Sequence, residues 1–122
     1  MMNAHDIVVI GGGPAGLSAA VAARDAGIQD ILIVERNHQL GGILNQCIHN
    51  GFGLHAFKEE LTGPEYAQRY IDMVTERHIP VLVDTMVLDV QPHQVTYINR
   101  EEGVVTISAK AIILAMGCRE RP

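Results

Sequence analysis

The sequence predicts an α/β fold built on a parallel sheet, and three observations carry that expectation. Two short runs of apolar, β-branched residues, "IVVI" at 7–10 and "ILIV" at 31–34, flank the small-residue stretch "LSAAVAARDAG". The glycine run "GGGPAG" joins the first of them to that stretch. A third apolar run, "VLVD" at 81–84, follows a second and longer helical pattern. Apolar strands that alternate with helices belong to parallel sheets covered on both faces.

The glycine run contains Gly11-x-Gly13-x-x-Gly16. Gly11 permits a tight strand-to-helix turn, Gly13 lets a pyrophosphate approach the backbone, and Gly16 lets the helix press against the sheet. Ala20 and its neighbouring alanines allow the same close packing. The helix N-terminus offers unpaired N–H groups and a partial positive charge to phosphates, and the helix is expected to end at Gly27. Glu35 stands at the end of the second strand, placed to accept hydrogen bonds from a ribose diol. An acid there argues against a 2′-phosphate, and so against NADP at this site. Arg36 could meet a phosphate or stack on adenine. A lone G-x-G-x-x-G is weak evidence, but strand, glycines, helix, strand and acid here follow in order within about 30 residues.

Residues 36–61 show little periodicity, apart from a short helical stretch about 54–61. A loop of that length in a compact domain points to function. Gly41 and Gly42 suggest a second close approach of backbone to ligand, and Asn45, Gln46, Cys47, His49 and Asn50 could lie across a cofactor. A solvent loop or lid is the alternative. The segment "TGPEYAQRYIDMVTERHIP" is a clearer helix: Thr62 and Glu65 have capping-box spacing and Pro64 lies in the first turn. Tyr66, Tyr70, Met73 and Val74 recur at helical spacing and should face the sheet. "VLVD" reads as a third buried strand. "TMVLDV", "QVTYIN" and "VVTISA" read as a three-stranded antiparallel meander, with turns about Pro92 and Gly103, that serves as a long crossover. "AIILA" reads as a further buried strand with Gly117 at its carboxyl end. Handedness and switch-point rules then give a parallel order 3-2-1-4, with the ligand across the carboxyl ends of strands one and four.

With 122 residues, 48% apolar and 19% charged, the chain suits one globular domain. A formal net charge of −5 disfavours nucleic acid or an anionic membrane as the main partner. No apolar run approaches the ~20 residues that cross a bilayer, and no basic leader precedes one. Two cysteines, Cys47 and Cys118, give no disulfide framework, which points to a reducing, cytoplasmic setting. Cys47-x-His49 with His55 matches no metal-ligand spacing, and no metal site is expected.

Taken together, the glycines with Pro14 and Ala15, Glu35, the pair Gly41-Gly42, the meander crossover and a strand ending "ILAMG" resemble a known family. They are similar to the Rossmann-like FAD-binding domain of the two-dinucleotide-domain flavoproteins, the pyridine nucleotide-disulfide oxidoreductases that include thioredoxin reductase. "GGILNQCIHNGFGLH" and "AMGCRERP" resemble bacterial NAD(FAD)-dependent dehydrogenases within it. The resemblance covers essentially the whole chain.

It implies that Gly11, Gly13, Pro14, Ala15 and Gly16 cradle the FAD pyrophosphate and that Glu35 holds the adenosine ribose, with Arg36 near the adenine. Gly42 would present backbone to the phosphate or ribityl chain, and Met86 or Val87 would pair its backbone with adenine. Ala115 and Gly117 would pass close to the cofactor, although the family's usual Ala-Thr-Gly reads Ala115-Met116-Gly117 here. It also implies that residues 1–122 are the N-terminal part of a discontinuous FAD domain. The NAD(P)H-binding domain and the returning strand would then lie elsewhere in a longer parent, which passes a hydride from NAD(P)H to FAD and on to an acceptor or an oxidoreductase partner subunit. No catalytic residue is assigned in this segment, because the family's cysteine pair is either spaced C-x4-C after the double glycine or carried by the nicotinamide domain, and only Cys47 occurs here. The isolated chain is expected to lack turnover and to self-associate through the uncovered edge of the strand at 111–115. An NAD-binding domain without flavin and a stand-alone, non-catalytic nucleotide-binding module remain the rival readings.

Overall fold

The computed structural model describes residues 4–41 and 63–116. Strand β1, Ala4–Ile10, leads through the glycine turn into helix α1, Pro14–Asp25, and strand β2, Ile31–Val34. Helix α2, Gly63–Glu76, precedes strand β3, Val81–Leu82. Strands β4, Met86–Gln91, and β5, Gln94–Asn99, form a hairpin, and strand β6 runs from Gly103 to Leu114. One six-stranded sheet results, in the order β3-β2-β1-β6-β5-β4.

The parallel part keeps the expected order, β3-β2-β1-β6, with Val8 opposite Leu32 on one side and Ile112 on the other. In one detail the structure differs from the sequence reading. The third strand of the meander and the fourth parallel strand are a single element. The first half of β6 pairs antiparallel with β5 and the second half parallel with β1; Ser108 is in register with both Gln94 and Ala4. Nothing in "VVTISAKAIIL" breaks an extended chain, so one strand serves both arrangements. Beyond Ser108, strand β5 stops pairing, and the outer edge of Ala111–Leu114 carries no strand among the described residues.

Side-chain alternation splits the core into two layers, as a period of two requires. Val8, Ile10, Leu32 and Val34 point to one face and pack with Val95, Tyr97 and Ile107 of the meander. Val9, Ile31 and Ile33 point to the other and pack with Leu17, Ala20 and Val21 of α1 and with Val74 of α2. For Tyr97 and Val34 to share a core, the sheet must curl until the meander covers the face opposite the helices. This explains why "IVVI" and "ILIV" are apolar at every position: neither face is wet.

Two helical expectations sharpen. Helix α1 ends as anticipated: Gly27 has φ +103, its N–H donates to Arg24 O, and the Ile28 N–H donates to Ala23 O. Those are the two bonds of a Schellman cap. On α2, Val74 is buried and Tyr70 and Met73 pack against the helical core, whereas Tyr66 instead stacks edge-on against Tyr70 at 5.3 Å. Ala67, not anticipated, is fully buried, because α2 packs on α1 as well as on the sheet. The third strand is shorter than expected and only half-buried. It lies at the sheet edge, and the chain turns away at Asp84, whose φ is +51 and whose N–H donates to Asn37 O. Among the described residues no helix is long and apolar enough to cross a membrane.

The two helices are joined at their carboxyl ends by Arg24. Its guanidinium donates to the carbonyls of Ile28 at 3.0 Å, Gln29 at 2.8 Å and Arg77. Arg77 in turn reaches Asp25 at 2.8 Å on the surface. Charged donors on backbone carbonyls stabilise by about 1.5–3 kcal/mol, whereas exposed ion pairs contribute little. Arg24→Ala should therefore cost about 2 kcal/mol in chemical unfolding, while Asp25→Asn leaves the unfolding midpoint nearly unchanged.

Candidate functional site

The carboxyl ends of β1 and β6 meet where the strand order reverses, the position at which open α/β sheets bind ligands. There Gly11 has φ +115, a conformation that side chains rarely adopt, and its N–H donates to Val34 O at 2.8 Å. A methyl carbon on Gly11 would lie 2.2 Å from the carbonyl oxygen of Ala115, and one on Gly16 only 1.9 Å from the carbonyl oxygen of Gly11. Three backbone segments are thus stacked with no room for a side chain. Ala115 is fixed beside the turn by its N–H, which donates to Ile10 O at 2.8 Å.

Gly13 is the N-cap of α1 and Pro14 occupies the first turn, with Ala15 exposed beside it and Gly16 buried. Among the described residues no side chain caps this helix, and no acidic residue sits in its first turn. The free N–H groups and positive end of the helix dipole therefore face outward beside the glycine turn.

Glu35 is 6% exposed and points at the turn. Its Oε1 accepts the Gly12 N–H at 2.6 Å and its Oε2 accepts the Asn37 N–H at 2.7 Å. Two carboxylate oxygens offer about four lone-pair sites, so acceptor capacity remains for a ribose diol. The Glu35 backbone is also held, its N–H donating to Leu82 O at 2.7 Å and its carbonyl accepting from Thr85 N–H at 3.0 Å. That second bond places the start of β4, Met86 and Val87, next to Glu35. Val87 itself turns its side chain into the meander core and lies in register with Tyr97. Arg36 is exposed directly after Glu35.

Residues 36–41 fold back onto the glycine turn. Gly41, with φ +105, donates its N–H to Gly12 O at 2.7 Å, and Leu40 packs so closely that a methyl on Gly12 would meet its Cδ2 at 2.5 Å. Gly12 is the residue that sequence reasoning missed. It fills an unconstrained position of the fingerprint, and its only sequence signal was a third glycine where two suffice. Of the anticipated residues, the fold brings together Gly11, Gly13, Pro14, Ala15, Gly16, Glu35, Arg36 and Ala115, with Val87 one strand away. Gly42, Cys47, Gly117 and Cys118 lie outside the described residues. The surface cleft of about 490 Å³ lined by His5, Asp6, Asp30 and Lys110 is at the amino end of β1, the opposite end from this turn.

The sequence profile of the pyridine nucleotide-disulphide oxidoreductases matches residues 5–122. The chain belongs to that family. Family members bind FAD and NAD(P)H. Among curated relatives, the chain is 33% identical to thioredoxin reductase of Mycolicibacterium smegmatis, an alignment covering 96% of this chain and 36% of that protein. It is 31% identical to hydrogen cyanide synthase subunit HcnB of Pseudomonas protegens, over 93% of this chain and 24% of the relative. The chain thus spans between a quarter and just over a third of the length of these two. Thioredoxin reductase from Streptococcus pyogenes has the same fold, with a TM-score of 0.73 at 21% identity, covering all of this chain and 38% of that one. Bacillithiol disulfide reductase from Bacillus cereus superposes with a TM-score of 0.74 at 20% identity, over 94% of this chain and 40% of its own.

Within this family domain, the glycines divide by what surrounds them. Gly16→Ala forces backbone apart and should cost about 2–3 kcal/mol. Gly27→Ala meets nothing within 4 Å and should cost only the left-handed strain of about 1 kcal/mol. Unfolding midpoints of the two variants check the difference. Next to the site, His38 Nδ1 bonds Asp84 Oδ2 at 2.8 Å on the surface, and this bond holds the imidazole above its ordinary value of 6.5. A raised folded value makes the contribution complete below that ordinary value and lost as pH rises through the folded one. Because the pair is exposed, the excess melting temperature of wild type over His38→Gln should be small, largest below the ordinary imidazole value and lost as pH rises through the folded one.

Proposed function

We propose that this chain is the N-terminal, FAD-binding part of an NAD(P)H-linked flavoprotein oxidoreductase, working in the cytoplasm. The observation that carries the reading is the N-terminus of α1, uncapped among the described residues, beside a turn of backbone only, with a buried carboxylate aimed at that turn from the next strand. In this reading Gly11, Gly13, Pro14, Ala15 and Gly16 hold the diphosphate through backbone N–H groups and the helix dipole. The remaining lone pairs of Glu35 accept the adenosine ribose hydroxyls. Arg36 lies on the adenine side, Val87 supplies backbone toward adenine, Gly42 lies along the diphosphate or ribityl chain, and Ala115 and Gly117 border the cofactor. Flavin supplies the hydride chemistry when bound, while the protein positions it and excludes solvent.

The partial coverage of longer relatives supports a parent that carries its NAD(P)H-binding part elsewhere, leaving the isolated chain without turnover. HcnB, named as a synthase subunit, supports a parent that works with an oxidoreductase partner subunit. The edge of Ala111–Leu114, which carries no strand among the described residues, borders a cleft of about 330 Å³, and Leu114 is 59% exposed. These features support self-association of the isolated chain through that edge.

Calorimetric titration should show FAD and ADP binding to the purified chain, with NAD bound more weakly than FAD, and the bound flavin should give a shifted visible spectrum. NAD(P)H-dependent dye reduction should stay at background, and light scattering should report a dimer or larger. Binding of NAD in preference to FAD would overturn the flavin assignment in favour of a dehydrogenase domain without flavin.

A further inference from the structure

We infer that Glu35 is a positioning residue for the diphosphate turn, acting through Gly12, in addition to any contact it makes with a ribose. The inference rests on the dinucleotide-binding reading above. Its basis is the bonding of Gly12, which is held from both sides by the chain that follows β2. The Gly12 N–H donates to Glu35 Oε1 at 2.6 Å, and the Gly12 carbonyl accepts the Gly41 N–H at 2.7 Å. Leu40 and the Glu35 side chain close over the Gly12 Cα so tightly that a methyl there would stand 2.5 Å from Leu40 Cδ2 and 3.2 Å from Glu35 Cβ. Gly12 is buried, and the other Glu35 oxygen accepts the Asn37 N–H at 2.7 Å.

One carboxylate therefore ties together two loops: the turn that carries Gly11 to Gly16, and residues 36–41. A peptide N–H turned inward to Glu35 fixes the plane of the Gly11–Gly12 peptide. The carbonyl of Gly12, turned toward Gly41, fixes the next. Together they set where the Gly13 backbone and the first turn of α1 present their N–H groups. Preorganised donors bind an anion without an ordering cost at the moment of binding. Removing the carboxylate would leave a buried N–H unpaired and release the turn, weakening every ligand that carries the diphosphate, with or without ribose hydroxyls.

The test uses the 122-residue chain in two measurements. In the first, made without nucleotide, the Gly12 amide proton of wild type is followed by NMR. It should be shifted downfield and exchange slowly, and both properties should be lost in Glu35→Ala, which removes the acceptor, while strand amides stay protected. A Gly12 amide that exchanges in wild type as fast as an open-loop amide overturns the inference, and this needs no variant. In the second, ADP and 2′,3′-dideoxy-ADP are titrated into wild type and Glu35→Ala. A positioning role predicts that both ligands lose about tenfold or more in affinity, the effect expected for one hydrogen bond to a charged group. A loss for ADP with none for the dideoxy compound overturns the inference and leaves Glu35 as a ribose ligand only. Failure of wild type to bind either nucleotide would instead overturn the dinucleotide reading, and the amide measurement still decides whether Glu35 holds Gly12.

Discussion

The structure depends on how closely three stretches of backbone can approach one another at the end of β1. The carbonyl of Ala115 lies over Gly11, and the carbonyl of Gly11 lies against Gly16, each nearer than any Cβ could tolerate. Because these contacts are backbone on backbone, the start of α1 is drawn down onto the sheet at the point where strand order reverses. Helix, turn and last parallel strand then form one rigid corner. A methyl group at either glycine would push α1 outward and separate β6 from the turn, so the packing of Leu17 and Ala20 against Val9 follows from the same contact.

From that corner the rest is held by residues far apart in sequence that each serve two elements. β6 closes the meander against one face of the parallel sheet while its second half pairs with β1. Arg24 binds the carboxyl ends of both helices. Glu35 belongs to β2 through its backbone and to the glycine turn through its side chain. The carbonyl of Glu35 also receives the N–H of Thr85, itself buried and bonded to Val83 and Asn99, so the start of the meander registers against the same residue. The glycine turn, residues 36–41 and the start of the meander are thereby indexed to one residue.

What was legible in the sequence was local. Gly11 and Gly16 are spaced within one turn and the first residues of a helix, so their pattern states directly that backbone packs closely there. The Schellman end at Gly27 was legible for the same reason. What was not legible depends on distant neighbours. Gly12 is constrained by Glu35 and Leu40, which the chain reaches only after a helix and a strand. The continuity of β6 through Ser108 follows from sharing β5 and β1, and no residue in "ISAKAI" announces it. The brevity of β3 reflects its place at the sheet edge and the bond from Asp84 to Asn37, neither of which the apolar run "VLVD" encodes.

The electrostatics of the site follow from this construction. The chain carries 14 acidic side chains against 9 basic ones, a poor balance for attracting a diphosphate from a distance. Among the described residues at the turn, the one fixed cation is Arg36, which is exposed. On the reading proposed above, attraction comes from oriented peptide groups at short range, where the N-terminus of α1 acts as roughly half a positive charge. At physiological salt the net charge is screened beyond about 8 Å, so the acidic surface elsewhere opposes binding only weakly. A site made of peptide dipoles works only if those dipoles already point the right way, since they cannot swing toward an anion as a lysine does. The turn is held in the way the proposed reading requires: Gly11 by Val34, Gly12 by Glu35 and Gly41, and Ala115 by Ile10.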